Sequence, residues 1–214
     1  MYIDAYAHKY QKLQGFEITI FDKDNERLNA YMSFEQSTRS TYDIAMRDAT
    51  IDALVTMVEI DKLKPSQIFY KNVNPNEFYI IQSINKTEQQ ITTKNINAIK
   101  QNSFITILRK EYDDEAEKED YVEKDKDIVS FVSIQNKDEK NFGAGLEDNT
   151  VLNIQIPKKD IVNDRNYDIK VLDKLIIRDT NKTREDIVKV ESIDAYGIPG
   201  VIRIYGVFDT RTGD

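Results

Sequence analysis

Apolar residues in this chain recur at every second position within short runs, which is the period of strands with one buried face. In GFEITIF, residues 15–21, Phe16, Ile18 and Ile20 lie on one face and polar residues on the other. The turn-forming DKDNE follows, and RLNAYMSF is predicted to return as the second arm of a hairpin.

Further runs of this kind are predicted as strands in both halves of the chain. They are SQIFYK, EFYIIQSI, QQITTKNINAIK and SFITILRKEY, then DIVSFVSI, TVLNIQI, DKLIIR, DIVKVESI and PGVIRIYGVF. Residues 42–60 are ambiguous because Ala, Met and Leu favour a helix, and we predict a strand over Leu54–Ile60. Strands of about five to eight residues between turns predict an all-β protein of small β-barrel or sandwich modules.

Two stretches about a hundred residues apart share one pattern. Ser66–Asn85 and Asp173–Asp194 each run from a polar pair through an apolar triplet and a polar turn to an apolar run and Ser-Ile. Each reads as a hairpin, and a lone hairpin needs further strands to bury its apolar face. The chain is therefore predicted to hold two related β units or two halves of one closed barrel. Coincidence is the alternative, since any two hairpins share alternation.

The most charged segment is EYDDEAEKEDYVEKDKD, residues 111–127. Its ten acidic residues and three lysines give −7 of the net charge of −8. With few large apolar residues, it is predicted to be a solvated linker or an exposed helix, with a cation site or an electrostatic docking strip as the alternative. The predicted organisation is a β-rich domain over 1–110, an acidic linker over 111–127 and a β-barrel domain over 128–214.

The composition narrows the class of protein. The 214 residues are 40% hydrophobic and 32% charged, enough for one sizeable core or two small ones. There is no cysteine, so disulfides and thiolate metal sites are excluded. No apolar run approaches the roughly 20 residues that span a bilayer. Outside the acidic segment the charge is nearly balanced, which does not support a basic face for nucleic acid.

Sequence signatures of catalysis and cofactor binding are sparse. The only histidine is His8, so a histidine ligand cluster is excluded. A calcium loop at DKDNER fails because Arg27 stands where the EF-hand turn needs glycine. NFGAGLED lacks the Lys-Ser/Thr of a phosphate-binding loop. We therefore expect no catalytic residue, metal or cofactor, although an enzyme using paired carboxylates remains a rival interpretation.

The N-terminus carries a spaced set of tyrosines. Tyr2, Tyr6 and Tyr10 recur every four residues and would line one face of a short N-terminal helix. That face would dock on a partner or pack on its own domain.

The stretch VLDKLIIRDTNKTREDIVKVESIDAYGIPGVIRIYGV, within residues 171–208, resembles the core of tailed-bacteriophage head-closure proteins and related neck connectors. The likeness consists of a strand with DKLII, a turn, a strand IVKVESI and a final strand GVIRIYGV. It implies a small barrel in a structural virion protein that is made in the host cytoplasm.

The resemblance also implies the partners. The chain would form a homo-oligomeric ring in the head–tail connector, with a portal or adaptor protein above and a tail protein below. DNA would pass through without specific binding, and no membrane is involved. Because lysine–phosphate contacts would slow that passage, an acidic lumen that includes residues 111–127 is expected.

Two turns are predicted to contact partners, because loops on rigid scaffolds concentrate such contacts. The first holds Asn72, Val73, Asn74 and Pro75, and the second holds Thr180, Asn181, Lys182 and Thr183. In a ring, each turn would meet a different surface of the neighbouring subunit. The alternatives are a tail or baseplate adaptor protein, or a stand-alone ligand-binding β module that recognises, for example, carbohydrate.

Overall fold

A computed structural model describes residues 15–35, 49–85, 93–113, 118–135 and 151–209. Within these ranges nearly every element is a strand, and the strands form two closed, six-stranded antiparallel barrels. The prediction of an all-β protein built from barrel units is confirmed. The predicted N-terminal helix lies outside the described residues, as do Tyr2, Tyr6, Tyr10 and His8.

The first barrel is built from the N-terminal half of the chain. Its strands are β1 (Phe16–Phe21), β2 (Arg27–Glu35), β3 (Thr50–Thr56), β4 (Ile68–Lys71), β5 (Asn74–Asn85) and β6 (Thr93–Lys100). Their order is β1-β2-β3-β6-β5-β4, and β4 closes the barrel by pairing with β1. Short 3-10 helices lie at Lys23–Asn25 and Ile60–Lys62.

The strand predicted over Leu54–Ile60 lies nearer the N-terminus than expected. Ala53 and Val55 face the core from β3, whereas Val58 is exposed and interrupts the alternation. Ile60 returns to the core from a 3-10 helix, so apolar composition alone placed the strand too late.

The second barrel is built from the C-terminal half. Its strands are β7 (Ser103–Asp113), β8 (Lys118–Gln135), β9 (Val151–Pro157), β12 (Lys174–Asp179), β13 (Glu185–Asp194) and β14 (Val201–Phe208), with the small pair β10 (Lys159–Asp160) and β11 (Arg165–Asn166) between β9 and β12. Their order is β7-β8-β9-β14-β13-β12, and β12 closes on β7.

The two barrels have the same connectivity. In each, the first strand pairs with the second, the second with the third, and the third with the sixth. The sixth then pairs with the fifth, the fifth with the fourth, and the fourth returns to the first. The chain therefore uses one topology twice.

Each barrel encloses its own apolar core. In the first, Phe69 on β4 lies opposite both Ile20 and Tyr79. Leu175 on β12 occupies the equivalent place in the second and is fully buried. Burying a side chain of this size contributes roughly 1.5–3 kcal/mol, so both cores are sources of stability.

The two similar stretches of sequence occupy the same position in the two barrels, as the hairpins β4–β5 and β12–β13. In both, a β-bulge interrupts the pairing of the returning strand. The register shifts between Ile81 and Ser83 in the first barrel and between Val190 and Ser192 in the second. The shared Ser-Ile therefore marks a common bulge.

The start of each hairpin is also equivalent. In the first barrel Ile81, the residue before the bulge, forms backbone hydrogen bonds with Ser66 and Gln67. In the second barrel Val190 forms the same two bonds with Leu172 and Asp173. Ser66 and Leu172 share a left-handed φ of 77°. Gln67 is thus the counterpart of Asp173, whereas matching the sequence letters pairs Ser66 with Asp173 and is one residue out of register.

Two compact units divide the chain, and their boundaries do not follow the two sequence halves. Unit 1 contains Met1–Gln101, Pro157–Asn166 and Tyr196–Val201, and unit 2 contains Asn102–Ile156, Tyr167–Ala195 and Ile202–Asp214. The predicted domain over 1–110 therefore lacks two segments of unit 1 that come from the C-terminal half.

The described residues of the acidic segment, 111–113 and 118–127, form neither a linker nor a helix, so that prediction is wrong for them. They belong to β7 and β8, which pair along one long hairpin. Ion pairs cross this hairpin, from Lys110 to Glu119 and from Lys124 to Glu111 at 2.6 Å. These ion pairs join offset residues of the two strands, since Lys110 lies opposite Tyr121 and Glu111 opposite Asp120. Together with shifts in register, they accompany a strand that lacks apolar alternation.

Candidate functional site

The first predicted contact loop is a tight turn at the tip of the β4–β5 hairpin. Lys71 pairs with Asn74, so Asn72 and Val73 alone form the turn, and Asn74 and Pro75 already belong to β5. Val73 is 76% exposed at the tip.

Strand β1 holds this turn in place. The backbone N–H of Asn72 donates to the carbonyl oxygen of Glu17 at 2.9 Å. The hydroxyl of Thr19 donates to the side-chain oxygen of Asn72 at 2.8 Å. An exposed valine on a fixed base is suited to contact with a protein partner.

The second predicted loop is the tip of the β12–β13 hairpin, where Thr180, Asn181, Lys182 and Thr183 are all exposed. The Asp179 carboxylate accepts hydrogen bonds from the hydroxyl of Thr183 at 2.7 Å and from its N–H at 2.6 Å. These bonds, the hydroxyl first, hold the pKa of Asp179 below its usual range. The two loops are therefore ordered tips of equivalent hairpins, one in each unit.

A buried polar pair fixes the start of the hairpin in the first barrel. The side-chain amide of Gln67 donates to Asp22 at 3.0 Å, and its oxygen accepts the backbone N–H of Lys64 at 2.7 Å. Gln67 is fully buried, so each of these bonds satisfies a polar group whose burial without a partner would destabilise the fold.

The second barrel has an ion pair at the same place. Arg109 Nε and Nη2 donate to the two carboxylate oxygens of Asp173, each at 2.9 Å, and Nη1 donates to Asp168 at 2.6 Å. Asp173 also accepts the backbone N–H of Lys170 at 2.7 Å, as Gln67 does from Lys64. Hydrogen bonds to Asp173 and then Asp168 raise the pKa of Arg109. The pair is a structural support, buried beneath the hairpin.

The described part of the acidic segment, residues 111–113 and 118–127, is here called the acidic ribbon. Seven acidic residues and three lysines give it a charge of −4. The barrel pairing of β7 with β12 ends at Leu108, and the described residues of β7 after 108 pair with β8 alone. The ribbon also carries Tyr112 and Tyr121, of which Tyr112 is 61% exposed.

Unit 1 contains an open cleft of about 350 Å³, here called the lysine cleft. It is bordered by the turn after β1, the loop before β4, and the two segments that come from the C-terminal half. Its ionisable lining residues are Lys23, Lys64, Lys158, Lys159, Asp22 and Asp164. Four positive and two negative groups leave a charge of +2 in a chain whose net charge is −8.

Two of the four lysines share one aspartate as their ion-pair partner. Asp164 forms ion pairs with Lys159 and with Lys23, the latter at 3.1 Å. These contacts, with Lys159 first, lower the pKa of Asp164 to about 2. The positive charge of the cleft therefore resides mainly on its other two lysines.

Those two lysines are available to a partner. Within the part of the chain that the structure describes, neither Lys64 nor Lys158 forms an ion pair. Lys158 Nζ lies 5.7 Å from the ring centroid of Tyr196, which is 94% exposed. The cleft thus combines ammonium groups with an exposed aromatic ring at Lys158.

A close backbone contact holds one wall of the cleft. The N–H of Gly200 donates to the carbonyl oxygen of Gln82 at the β5 bulge, at 2.7 Å. A Cβ at this position would lie 2.1 Å from the carbonyl oxygen of Ile81. Only glycine fits, which explains the Pro-Gly before the last strand.

Two kinds of feature are absent from the described ranges. No group of three histidine or carboxylate side chains there is placed to hold a metal ion. No helix in the same ranges is long and apolar enough to cross a membrane.

The lysine cleft could not be found from the sequence. Its residues come from Asp22–Lys23, Lys64–Ser66, Lys158–Asn166 and Pro199, four separate places in the chain. Their charged residues are ordinary for a surface, and the Lys158–Lys159 pair is the sole signal in the sequence. The acidic ribbon, in contrast, is evident from composition.

Comparison of this chain with family models, with curated proteins and with solved structures gave no match.

Proposed function

We propose that this chain is a non-enzymatic structural subunit of a tailed-phage virion. It would act in the head–tail connector as part of a homo-oligomeric ring, with a portal or adaptor protein above and a tail protein below. The observation that carries the proposal is that the phage-like stretch, residues 171–208, supplies three neighbouring strands of a closed barrel, β12, β13 and β14.

The hairpin tips support this proposal. A ring needs rigid subunits with protruding contact points, because each subunit meets its neighbour through two different surfaces. Val73 and the Thr180–Thr183 turn are exposed and are held by hydrogen bonds to their own barrels. Such tips lose little conformational entropy when a partner binds.

The charge distribution supports passage of DNA without binding. Nonspecific affinity for DNA rises with every lysine or arginine that neutralises a phosphate. The chain carries 38 acidic and 30 basic residues, so its overall field repels DNA.

The test is imaging of the purified full chain by negative-stain electron microscopy, alone and mixed with a portal protein. We expect closed rings of uniform diameter, and DNA retention that is negligible at physiological salt. A chain that stays monomeric both alone and with the portal protein, and that binds a sugar instead, would rule the proposal out. Rings that bind tail components but no portal would identify a tail or baseplate adaptor.

A further inference from the structure

We propose that the lysine cleft of one subunit receives the acidic ribbon of a second copy of this chain. This inference rests on the proposed ring and names its subunit contact. The contact would be head-to-tail, because cleft and ribbon are different surfaces of the same protein.

The charges of the two surfaces are complementary. The cleft carries +2, and its available ammonium groups are those of Lys64 and Lys158. The ribbon carries −4, and within it Asp120 and Glu123 are exposed on β8. Each has an exposed lysine of the ribbon as its ion-pair partner, Lys118 at 3.3 Å and Lys126 at 4.0 Å, so the net negative charge of the ribbon remains. Opposite potentials steer encounter and disfavour wrong partners, so two copies would meet in this orientation.

Both surfaces also provide aromatic contact area. Tyr112, Tyr121 and Val122 are exposed on the ribbon, and Tyr196 is exposed beside Lys158. Tyrosine is enriched at protein interfaces, where its ring is buried while its hydroxyl stays hydrated. A wall that only repels DNA needs no apolar side chains, so the ribbon is better suited to a subunit contact than to a lumen.

The ribbon has the geometry of an inserted element. Its strands pair with each other beyond the last pairing of β7 with β12 at Leu108. Cross-strand ion pairs of Glu111 and Glu119 stiffen it. A cleft of about 350 Å³ has room for a few side chains from such a hairpin.

The experiment uses full-length variants with one altered surface each. The cleft variant is Lys64→Glu with Lys158→Glu, and the ribbon variant is Asp120→Lys with Glu123→Lys. Lys170→Glu is the matched control, because Lys170 stands in the second barrel where Lys64 stands in the first. Self-association is measured by analytical ultracentrifugation and mass photometry, and folding is checked by circular dichroism.

We expect each altered surface to weaken self-association at least about tenfold, while the Lys170 control assembles as the wild type does. A mixture of the cleft and ribbon variants should regain self-association, because the reversed charges of the altered cleft and the altered ribbon are again opposite, and the intact cleft still meets the intact ribbon. The neutral variants Lys64→Gln and Asp120→Asn should show intermediate losses, which provides a second test should a charge reversal fail to fold.

Other outcomes overturn the inference. Rings that form equally well from the cleft variant would refute this contact and leave the proposed ring intact. A ribbon variant that assembles normally but gains affinity for DNA would place the ribbon in the lumen instead. A wild-type chain that forms no ring, alone or with a portal protein, would refute both proposals together.

Discussion

Replacing Arg109 by Met should destabilise the second barrel far more than the loss of an exposed ion pair. Asp173 is 3% exposed and receives two of its hydrogen bonds from Arg109, both at 2.9 Å. In Arg109→Met the buried carboxylate keeps one described donor, the N–H of Lys170. Breaking a buried pair by removing one partner costs about 3–5 kcal/mol, because the remaining charge is left uncompensated.

That cost corresponds to a fall of about two to nearly four orders of magnitude in the folding equilibrium constant. The assay is urea unfolding followed by circular dichroism and tyrosine fluorescence, with the two units fitted as separate transitions. The control is Arg178→Met, which removes an exposed pair with Glu185 at 3.0 Å on neighbouring strands of the same barrel. Its cost should be at most about 1 kcal/mol.

A double variant separates lost charge from lost packing. Arg109→Met with Asp173→Asn removes both charges but keeps an acceptor for Lys170, so it should recover more than half of the loss. Equal destabilisation by Arg109→Met and Arg178→Met would refute the reasoning, since burial would then make no difference. No recovery in the double variant would instead assign the loss to packing.

Three further changes have defined outcomes. Gly200→Ala should lower the free energy of unfolding of unit 1 by about 1–3 kcal/mol in urea, because the new Cβ would lie 2.1 Å from a backbone oxygen. Gly206→Ala is the control and should cost less, because its Cβ would first meet a side-chain methyl at 2.4 Å. Asp164→Asn should lower the melting temperature above pH 4, because the ion pairs depress the folded-state pKa of Asp164 from 3.8 to about 2. The difference should shrink as the pH falls through about 2 and vanish below it, and a difference independent of pH would contradict this. A fragment over 1–110 should unfold at lower urea than unit 1 does in the full chain, since it lacks 157–166 and the Gly200 segment; an unchanged midpoint would show that these segments add no stability.

The strands were predictable because the signal for them is local. Ile18 and Ile20 alternate with polar residues, and a strand with one buried face requires that pattern. The acidic segment lacked it, and the linker prediction failed because cross-strand pairs such as Lys124–Glu111 replace apolar alternation in β7 and β8. Which residues become neighbours across two strands is not visible in the sequence until the register is known.

Part of the candidate site was predictable from the sequence and part was not, for the same reason. The exposed turns at Val73 and Thr180–Thr183 follow from turn-forming residues between apolar runs, and the structure places both at hairpin tips. The Arg109–Asp173 pair joins residues 64 positions apart, and the lysine cleft joins residues from Asp22 to Pro199, so no short window of sequence contains either.

By itself, the sequence determined an all-β chain, two related hairpins and one strongly acidic segment, because periodicity and composition are properties of neighbouring residues. Tertiary structure alone decided that the hairpins occupy the same place in two barrels of one topology, with Gln67 as the counterpart of Asp173. It also decided that unit 1 takes segments from both halves and that scattered lysines form a cleft. The physical reason is that barrel closure and strand register bring distant residues together, and neither is specified by any local run of amino acids.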